Sequence, residues 1–288
     1  MRCATTWISR CLGDHPDLFI PAGMKEVHFF DKFRKNQQDE VKERWNYDKG
    51  LDWYRNLFID AGDTQLVGEY TPSYLTDLEA PELIHQHFPE IKLILSLRDP
   101  IDRLKSHHQY VRRNHPSIPD DLDQAIQTSN DRYHFLENGL YGKYLETYLQ
   151  HFSPDQILIL FYEDIRSKPK QVCQQLYTFL NVDSNYLPPV VTQKVNSSSD
   201  VKYRSLLRTM RFVKQTIKKS NWIRRKVESL GGVQLGRWIN RLNQTKPGDV
   251  KADQQSGSMA RLRDYYLKDI ELLESITNRD LSNWKAIS

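Results

Sequence analysis

Three short apolar runs stand out along the chain and predict β-strands. They are Gln65–Tyr70, Ile91–Leu97 and Gln156–Tyr162. The second run is apolar at nearly every position, which is typical of a strand covered on both faces of a parallel sheet. A stretch with helical periodicity precedes each run. These predicted helices span Gln38–Ala61, Ala80–Phe88 and Tyr141–Phe152.

The alternation of helix and strand predicts an α/β fold with a central parallel sheet flanked by helices. Near the C-terminus, apolar residues recur at helical spacing from Met259 to Trp284. The stretch before them, about 243–258, is rich in Gly, Pro and polar residues, and we interpret it as a mobile loop. Too little chain follows the loop to fold alone, so we predict one domain over residues 1–288.

Positive charge is concentrated in one segment of the chain. Between Val201 and Leu230 there are ten Lys or Arg residues and one Glu. Such a run is typical of a solvated helical face, but it also suits a cationic wall facing an anionic donor or acceptor. The formal charge of the whole chain is +4, which favours anionic ligands. It is too weak to indicate nucleic acid, and no nucleic-acid motif supports that class of partner.

Cysteine usage and hydropathy argue against a disulfide-stabilised, a metal-binding or a membrane-spanning protein. The three cysteines have neither a disulfide framework nor metal-ligand spacing, so we predict no metal site and a reducing compartment. No apolar run approaches the roughly 18 residues that a membrane span needs. As given, the sequence predicts a cytoplasmic protein, whereas a longer form could carry an anchor and reach a secretory lumen. The sequence assigns no oligomeric state.

The chain opens with a pattern suited to phosphate. Small and hydroxyl residues at 4–6 lead into a helical pattern that ends near Leu12, and Arg2 supplies a cation beside them. A helix N-terminus with free N–H groups, hydroxyls and a nearby cation binds phosphate. An ordinary helix cap has the same appearance. The G-x-x-x-x-G-K-[ST] loop of nucleoside triphosphatases does not occur in the chain.

Two further segments carry candidate chemistry. Lys25–Asp31 places a cation, a carboxylate, an imidazole and a second carboxylate within seven residues. In extended backbone, alternation sends Glu26 and His28 to one face; the alternative is a surface strand with a salt bridge. After the buried strand, Arg98 lies at the strand's carboxyl end, where open α/β sheets bind ligands. Arg98 and Ser106 suit a phosphate, and the alternative is a capped helix with surface charges.

Together these segments resemble the sulfotransferases that use 3′-phosphoadenosine 5′-phosphosulfate (PAPS). Arg2–Trp7 looks like the P-loop-like 5′-phosphosulfate loop of that family, and Arg98–Ser106 looks like its 3′-phosphate motif. Lys25–Asp31 is similar to the segment that carries the catalytic base in the glycan-modifying branch, notably the heparan sulfate 3-O-sulfotransferases. Gly68–Tyr74 and Phe161–Asp164 also match stretches of family members.

The resemblance implies transfer of a sulfuryl group from PAPS to a hydroxyl or amine of a glycan or small-molecule acceptor. Glu26 is the implied general base, His28 and Asp31 support it, and Lys25 lies near the acceptor. Should Glu26 not be the base, His28 is the first substitute, followed by the pair His107-His108, which we otherwise interpret as a helix surface feature.

The same resemblance implies a binding site for the anionic donor. Arg98 and Ser106 would hold its 3′-phosphate, and Arg2 would also act in catalysis by stabilising the leaving group. The residues implied to hold the 5′-phosphate and the sulfuryl group are Arg2, Cys3, Ala4, Thr5, Thr6 and Trp7.

The chain departs from the family pattern in three ways. Arg2 replaces the usual Lys, and Ala4 replaces the usual Gly, which would strain the loop if it needs a positive φ. No hydrophobic strand precedes the loop, so we expect a missing N-terminal strand and a longer natural chain. Two alternatives stay open: an inactive nucleotide- or glycan-binding protein on the same fold, and a P-loop kinase.

Overall fold

Four short parallel strands carry the fold, and they pair two by two. Strand β1 (Leu18–Phe19) pairs with β2 (Leu66–Val67), and β3 (Leu93–Leu97) pairs with β4 (Ile157–Phe161). The computed structural model describes residues 2–21, 26–31, 46–63, 65–191 and 256–286. Within those ranges, the predicted central sheet is present as two separate two-stranded sheets.

All three predicted strands are found, and each is shorter than its apolar run. The largest difference concerns Gln65–Tyr70, of which only two residues form β2. Five residues after the end of β2, Pro72 opens a 3-10 helix over Pro72–Thr76. Because proline has no N–H and favours the first turn of a helix, the chain turns away from the sheet here.

Helices alternate with the strands, as predicted. Those before β3 and β4 occupy Ala80–His87 and Tyr141–Leu149, which end one and three residues before the predicted ends. None of the described helices is long and apolar enough to cross a bilayer. The helices are α1 (Thr5–Asp14), α2 (Leu51–Asn56), α3 (Ala80–His87), α4 (Pro100–Asn114), α5 (Leu122–Tyr133), α6 (Tyr141–Leu149), α7 (Tyr162–Ser167), α8 (Pro169–Leu180), α9 (Ser256–Thr277) and α10 (Ser282–Lys285).

Two predicted helices are interrupted where the backbone takes a positive φ. In the predicted helix Gln38–Ala61, Gly50 at φ 81° separates α2 from a 3-10 turn at Tyr47–Lys49. Residues 38–45 of that prediction lie outside the described residues. The predicted helix Met259–Trp284 is divided into α9 and α10, with Asn278 at φ 51° between them. A left-handed residue cannot continue a right-handed helix, so each chain segment changes direction there.

The described elements belong to one compact unit made of Met1–Val195 and Gln255–Ser288. A second unit, Asn196–Gln254, lies outside the described residues, and so does the basic segment 201–230. The predicted loop 243–258 also falls there, except that α9 already begins at Ser256. A single domain over 1–288 therefore stays a prediction.

Helices cover both faces of the β3–β4 sheet. On one face, Leu158 and Leu160 share a buried cluster with Cys11 of α1 and Leu176 of α8. The other face contributes to a larger cluster that includes residues of α4, α6 and α9, and its members include Leu95, Leu97, Phe161, Leu104, Leu145 and Leu273. This two-sided burial explains why β3 and β4 were readable as apolar runs.

The C-terminal helix α9 is tied to the helix that follows β3. Arg263 of α9 forms an ion pair with Asp99 at 2.7 Å, and both side chains are nearly buried. Asp99 also caps α4, since its carboxylate accepts the N–H of Asp102 at 2.8 Å. The start of α4 is therefore fixed both by its own cap and by a residue 164 positions away.

Candidate active site

The backbone before α1 turns sharply at Ala4. This residue takes φ 63° and ψ 20°, and its carbonyl accepts the N–H groups of Trp7 and Ile8 at 2.8 and 3.2 Å. The strain that the sequence predicted for alanine at this position is therefore present, and the left-handed region costs an alanine about 1 kcal/mol relative to glycine. The first turn of α1 contains no acidic residue, so the positive end of the helix dipole faces outward without a counter-charge of its own.

Strand β3 supports this turn from below. The hydroxyl of Ser96 donates a hydrogen bond to the carbonyl of Cys3. The Cys3 thiol is buried and lies 3.8 Å from the hydroxyl of Tyr141. Trp7 is also buried and belongs to the core cluster around α1, so its side chain packs while its backbone shapes the turn. Cys3 and Trp7 thus contribute to the candidate donor site through the backbone.

Arg2 and Ser106 meet across the candidate donor site. Arg2 Nε donates to Ser106 Oγ at 3.1 Å, and the guanidinium lies 5.3 Å from the ring centre of Tyr110. Burial lowers the pKa of Arg2, and the nearby cations Arg113 and Arg98 lower it further. Three guanidinium groups close enough to repel one another make this region strongly favourable for an anion.

Arg98 is held on the other side of the same region. Its guanidinium lies 4.4 Å from the ring centre of Tyr162, its Nη2 is 3.6 Å from Asp102, and its Nη1 lies 3.5 Å from the Arg2 carbonyl. Its Nε is buried and has no hydrogen-bond partner among the described residues. A cation that is stacked, oriented and incompletely satisfied fits a phosphate ligand.

The second group of predicted residues forms a line of acid, imidazole and acid. His28 Nε2 lies 3.3 Å from Glu26, and His28 Nδ1 lies 2.6 Å from Asp31. The Asp31 carboxylate is fully buried and accepts a hydrogen bond from Ser73 at 2.7 Å, whereas 34% of the Glu26 side chain is exposed. The buried acid therefore anchors the imidazole, and the outer acid remains accessible to an acceptor.

The protonation of His28 follows from its two neighbours. Burial on its own lowers the pKa of His28, but hydrogen bonds to Asp31 and Glu26 outweigh it and raise the pKa to about 9. His28 is then an imidazolium at neutral pH, so it is a poor general base and a good positioning cation for the Glu26 carboxylate. This argues against His28 as the substitute base.

The histidine pair after the 3′-phosphate motif is not a surface feature. His108 is buried, and its Nε2 lies 2.9 Å from the carbonyl of Pro119. His107 is half-buried, with its ring centre 5.2 Å from that of Phe135. Burial lowers the pKa of His107 to about 2, and the adjacent Arg103 lowers it as well. The surface prediction is wrong because α4 is covered on both of these sides.

The predicted site residues thus fall into two groups. Arg2 contacts Arg98 and Ser106, with Ala4, Thr5 and Thr6 following it at the start of α1. Glu26 contacts His28, which contacts Asp31. The expected alternation is present, since Val27 and Phe29 are buried while Glu26 and His28 are partly exposed. Lys25 lies outside the described residues.

Several residues around these groups carried no predicted role. Tyr110 and Tyr162 lie against the two arginines, and Asn46, Thr71 and Ser73 bond to the acidic segment. Thr71, Ser73 and Tyr162 lie in stretches that resembled family members, which was the available signal. Tyr110 was one turn from Ser106 on the same helix, which could have drawn attention to it.

The chain is similar to known sulfotransferases. Residues 1–244 match the family described as "Sulfotransferase domain". Human heparan sulfate glucosamine 3-O-sulfotransferases 3B1 and 3A1 are each 33% identical to it over 173 residues, or 58% of this chain. The match spans 40% and 39% of those two relatives, so this chain corresponds to less than half of their length.

A solved structure agrees in fold. A sulfotransferase from Alicyclobacillus acidocaldarius superposes with a TM-score of 0.70 at 21% identity, covering 99% of this chain and 95% of that one. At that level of identity the likeness concerns the arrangement of helices and strands. The α/β class predicted from the alternation of elements is confirmed.

Proposed function

Because this chain belongs to the sulfotransferase domain family, we propose that it transfers a sulfuryl group from PAPS to a hydroxyl or amine of a glycan or small-molecule acceptor. The names of the 3-O-sulfotransferases that resemble it favour a glucosamine-containing glycan as the acceptor. PAPS is the co-substrate of this proposal, and Glu26 is the general base.

The donor fits the residues at the start of α1 and α4. The turn at Ala4 and the N-terminal end of α1 would receive the 5′-phosphosulfate, with Arg2 beside it. Arg98, whose Nε has no partner among the described residues, and Ser106 would receive the 3′-phosphate. When bound, the donor supplies the sulfuryl group and a phosphate leaving group.

The protein's task is to position two substrates and to handle one proton. Glu26 takes the proton of the acceptor as the acceptor oxygen or nitrogen bonds to sulfur. The bond between sulfur and the phosphate oxygen breaks, its electron pair stays on that oxygen, and Arg2 with the α1 N–H groups stabilises the charge. His28, held by Asp31, orients the Glu26 carboxylate through the 3.3 Å contact.

One observation carries the proposal above the others. A partly exposed carboxylate is backed by an imidazolium and a fully buried second carboxylate, as a positioned base requires. In an ordinary salt bridge on a surface strand, both charged side chains are exposed to solvent, and Asp31 would not be buried. The geometry therefore favours an active enzyme over the inactive binding protein.

Calorimetry with adenosine 3′,5′-bisphosphate, without added metal, tests the donor site directly. We expect micromolar binding, much weaker binding of 5′-AMP and ADP, and loss of the preference for the bisphosphate in Arg98→Ala. An Arg55→Ala variant, changed at an exposed arginine of α2, is the matched control. Absence of bisphosphate binding would contradict the proposal, and a Mg²⁺ requirement for activity would favour the kinase alternative.

A further inference from the structure

Hydrogen bonds connect the half-buried carboxyl group of Glu69 to the backbone next to Glu26. Thr71 Oγ1 donates to Glu69 Oε2 at 2.8 Å. Thr71 Oγ1 also accepts hydrogen bonds from the backbone N–H of Val27 at 2.9 Å and from that of His28 at 3.2 Å. A hydroxyl group has one proton and two lone pairs, so these three bonds use its whole capacity. Because Glu69 accepts the hydrogen bond from the Thr71 hydroxyl, both lone pairs of that hydroxyl remain for the two N–H groups.

The carbonyl side of the same segment is fixed by Asn46. Its side-chain nitrogen donates to the carbonyl of Val27 at 2.6 Å, and its backbone N–H donates to the carbonyl of His28 at 3.1 Å. Between these bonds His28 takes φ 51°, a left-handed conformation that is uncommon for residues other than glycine. Such a conformation persists only where the surroundings over-determine it, and it is frequent at active sites.

We propose that Glu69 is a positioning residue, which acts through Thr71 to hold Val27 and His28 in the conformation that aims Glu26 at the acceptor. This inference rests on the proposed function, because it assumes that Glu26 is the base. Glu69 itself touches neither Glu26 nor a reacting atom in the proposed reaction, so its contribution is to geometry.

The ionisation of Glu69 gives this role a measurable signature. Burial raises the pKa of Glu69 to about 7, although hydrogen bonds from Thr71 and Tyr74 oppose the rise. An ionised carboxylate accepts the Thr71 proton strongly, whereas a protonated one accepts it weakly and can direct its own proton at Thr71. Among the described residues, the titratable groups facing Glu69 are His28, Asp31, Tyr54, Tyr74 and Tyr148.

Amide hydrogen exchange of the full chain tests the positioning without any substrate. After correction for intrinsic rates, we expect the amides of Val27 and His28 to be about tenfold better protected at pH 8 than at pH 6. The amide of Phe88, which bonds to Ile84 at 2.7 Å, is the internal reference. Glu69→Gln keeps an acceptor that cannot ionise and should abolish the difference, whereas Glu90→Gln, changed at an exposed carboxylate, should preserve it. Equal protection at both pH values would overturn the proposal.

Turnover provides the second arm. Thr71→Val removes the hydroxyl and should lower kcat by about 10- to 100-fold while the donor KM stays within about twofold. Thr71→Ser restores the hydroxyl and should restore most of kcat. Equal impairment of the two Thr71 variants, or wild-type kcat in the valine variant, would refute the positioning role.

The pH profile separates positioning from a merely structural contribution. The wild-type kcat should fall as Glu69 is protonated below about pH 7, and Glu69→Gln should lose that limb. If the wild-type chain shows no turnover at all, the proposed function fails, and the exchange result still decides whether Glu69 orders the segment. If Thr71→Val does not fold, Thr71→Ser and Glu69→Gln carry the same comparison.

Discussion

Arg2 Nε donates a hydrogen bond to Ser106 Oγ at 3.1 Å, which joins the opening turn of the chain to the second turn of α4. The resemblance assigned these two residues to different phosphates of one donor. Their contact shows that the proposed 5′-phosphosulfate and 3′-phosphate sites are adjacent, and that the Arg2 side chain reaches from the first to the second. A donor phosphate at Ser106 therefore replaces or shares a bond that the protein already makes to Arg2.

Replacing Arg2 should weaken donor binding more than replacing Ser106. Charge-assisted hydrogen bonds contribute about 1.5–3 kcal/mol each, so Arg2→Ala should weaken adenosine 3′,5′-bisphosphate binding by at least about tenfold. Ser106→Ala removes a neutral bond and should cost less. Arg2→Lys keeps the charge without the planar fork and should lie between wild type and Arg2→Ala. Calorimetry on the three variants gives the order, and a wild-type Kd for Arg2→Ala would contradict it.

Ala4→Gly should stabilise the protein. Ala4 takes φ 63°, which glycine adopts without a Cβ clash, so the free energy of unfolding should rise by about 1 kcal/mol. Chemical denaturation measures the change. Ala125→Gly, in the interior of α5 where the backbone is right-handed, should have the opposite sign. A loss of stability in Ala4→Gly would mean that the turn is not strained.

Glu26→Gln should abolish most turnover and spare donor binding. A general base contributes about 10²–10⁴-fold in rate, and the amide cannot accept the acceptor proton. We expect kcat to fall by at least that lower bound while the bisphosphate binds as in wild type. Glu79→Gln, changed at an exposed glutamate before α3, is the control. Near-full activity in Glu26→Gln would place the base elsewhere.

His28 should titrate near pH 9 in the folded protein. Its pKa is raised above the unfolded value of 6.5, so its contribution to stability is present in full below pH 6.5 and is lost as the pH rises through about 9. Imidazole NMR shifts follow the titration directly, and Asp31→Asn should lower the pKa. The stability difference between wild type and His28→Asn should shrink between pH 6 and pH 10. A titration near 6.5 would show that Asp31 and Glu26 do not hold the proton.

Two arginines of α9 offer a matched pair for stability. Arg263 forms a nearly buried ion pair with Asp99 at 2.7 Å. The Arg261 side chain is 78% exposed, and its guanidinium lies 3.8 Å from the carboxylate of Asp123. Arg263→Ala leaves a buried carboxylate without its cation and should cost about 3 kcal/mol. Arg261→Ala should cost less than about 0.5 kcal/mol. Denaturation curves measure the change in the free energy of unfolding for each variant. Equal changes would show that burial does not decide how much an ion pair contributes to stability.

The sequence predicted the elements whose pattern is local. β3 and β4 are covered on both faces, and their continuous apolar runs made them visible. The line Glu26, His28 and Asp31 was visible for a similar reason, since three chemical groups lie within six residues. The interruption at Gly50 was less visible, because a single glycine in a helical pattern also occurs within helices.

Contacts between distant segments could not be read from pattern. Thr71 reaches Val27 across 44 positions, and Arg263 reaches Asp99 across 164. The resemblance of Gly68–Tyr74 to family members marked the stretch around Thr71, but it did not show that Thr71 bonds to Val27. The prediction that His108 lies on the surface was wrong for the same reason. The residue that covers it, Pro119, lies outside α4, so the pattern of α4 alone does not show the contact.

The pairing of Asp99 with Arg263 also sets the order in which the protein can assemble during synthesis. The ribosome makes β3 and the start of α4 before it makes α9, so the Asp99 carboxylate lacks this partner until 164 further residues have been added. Contacts of such long sequence separation slow folding, because a large loop must close before they form. The N-terminal end of α4 therefore has its own cap as soon as Asp102 is made, whereas the ion pair with Arg263 can form only after α9 has been added.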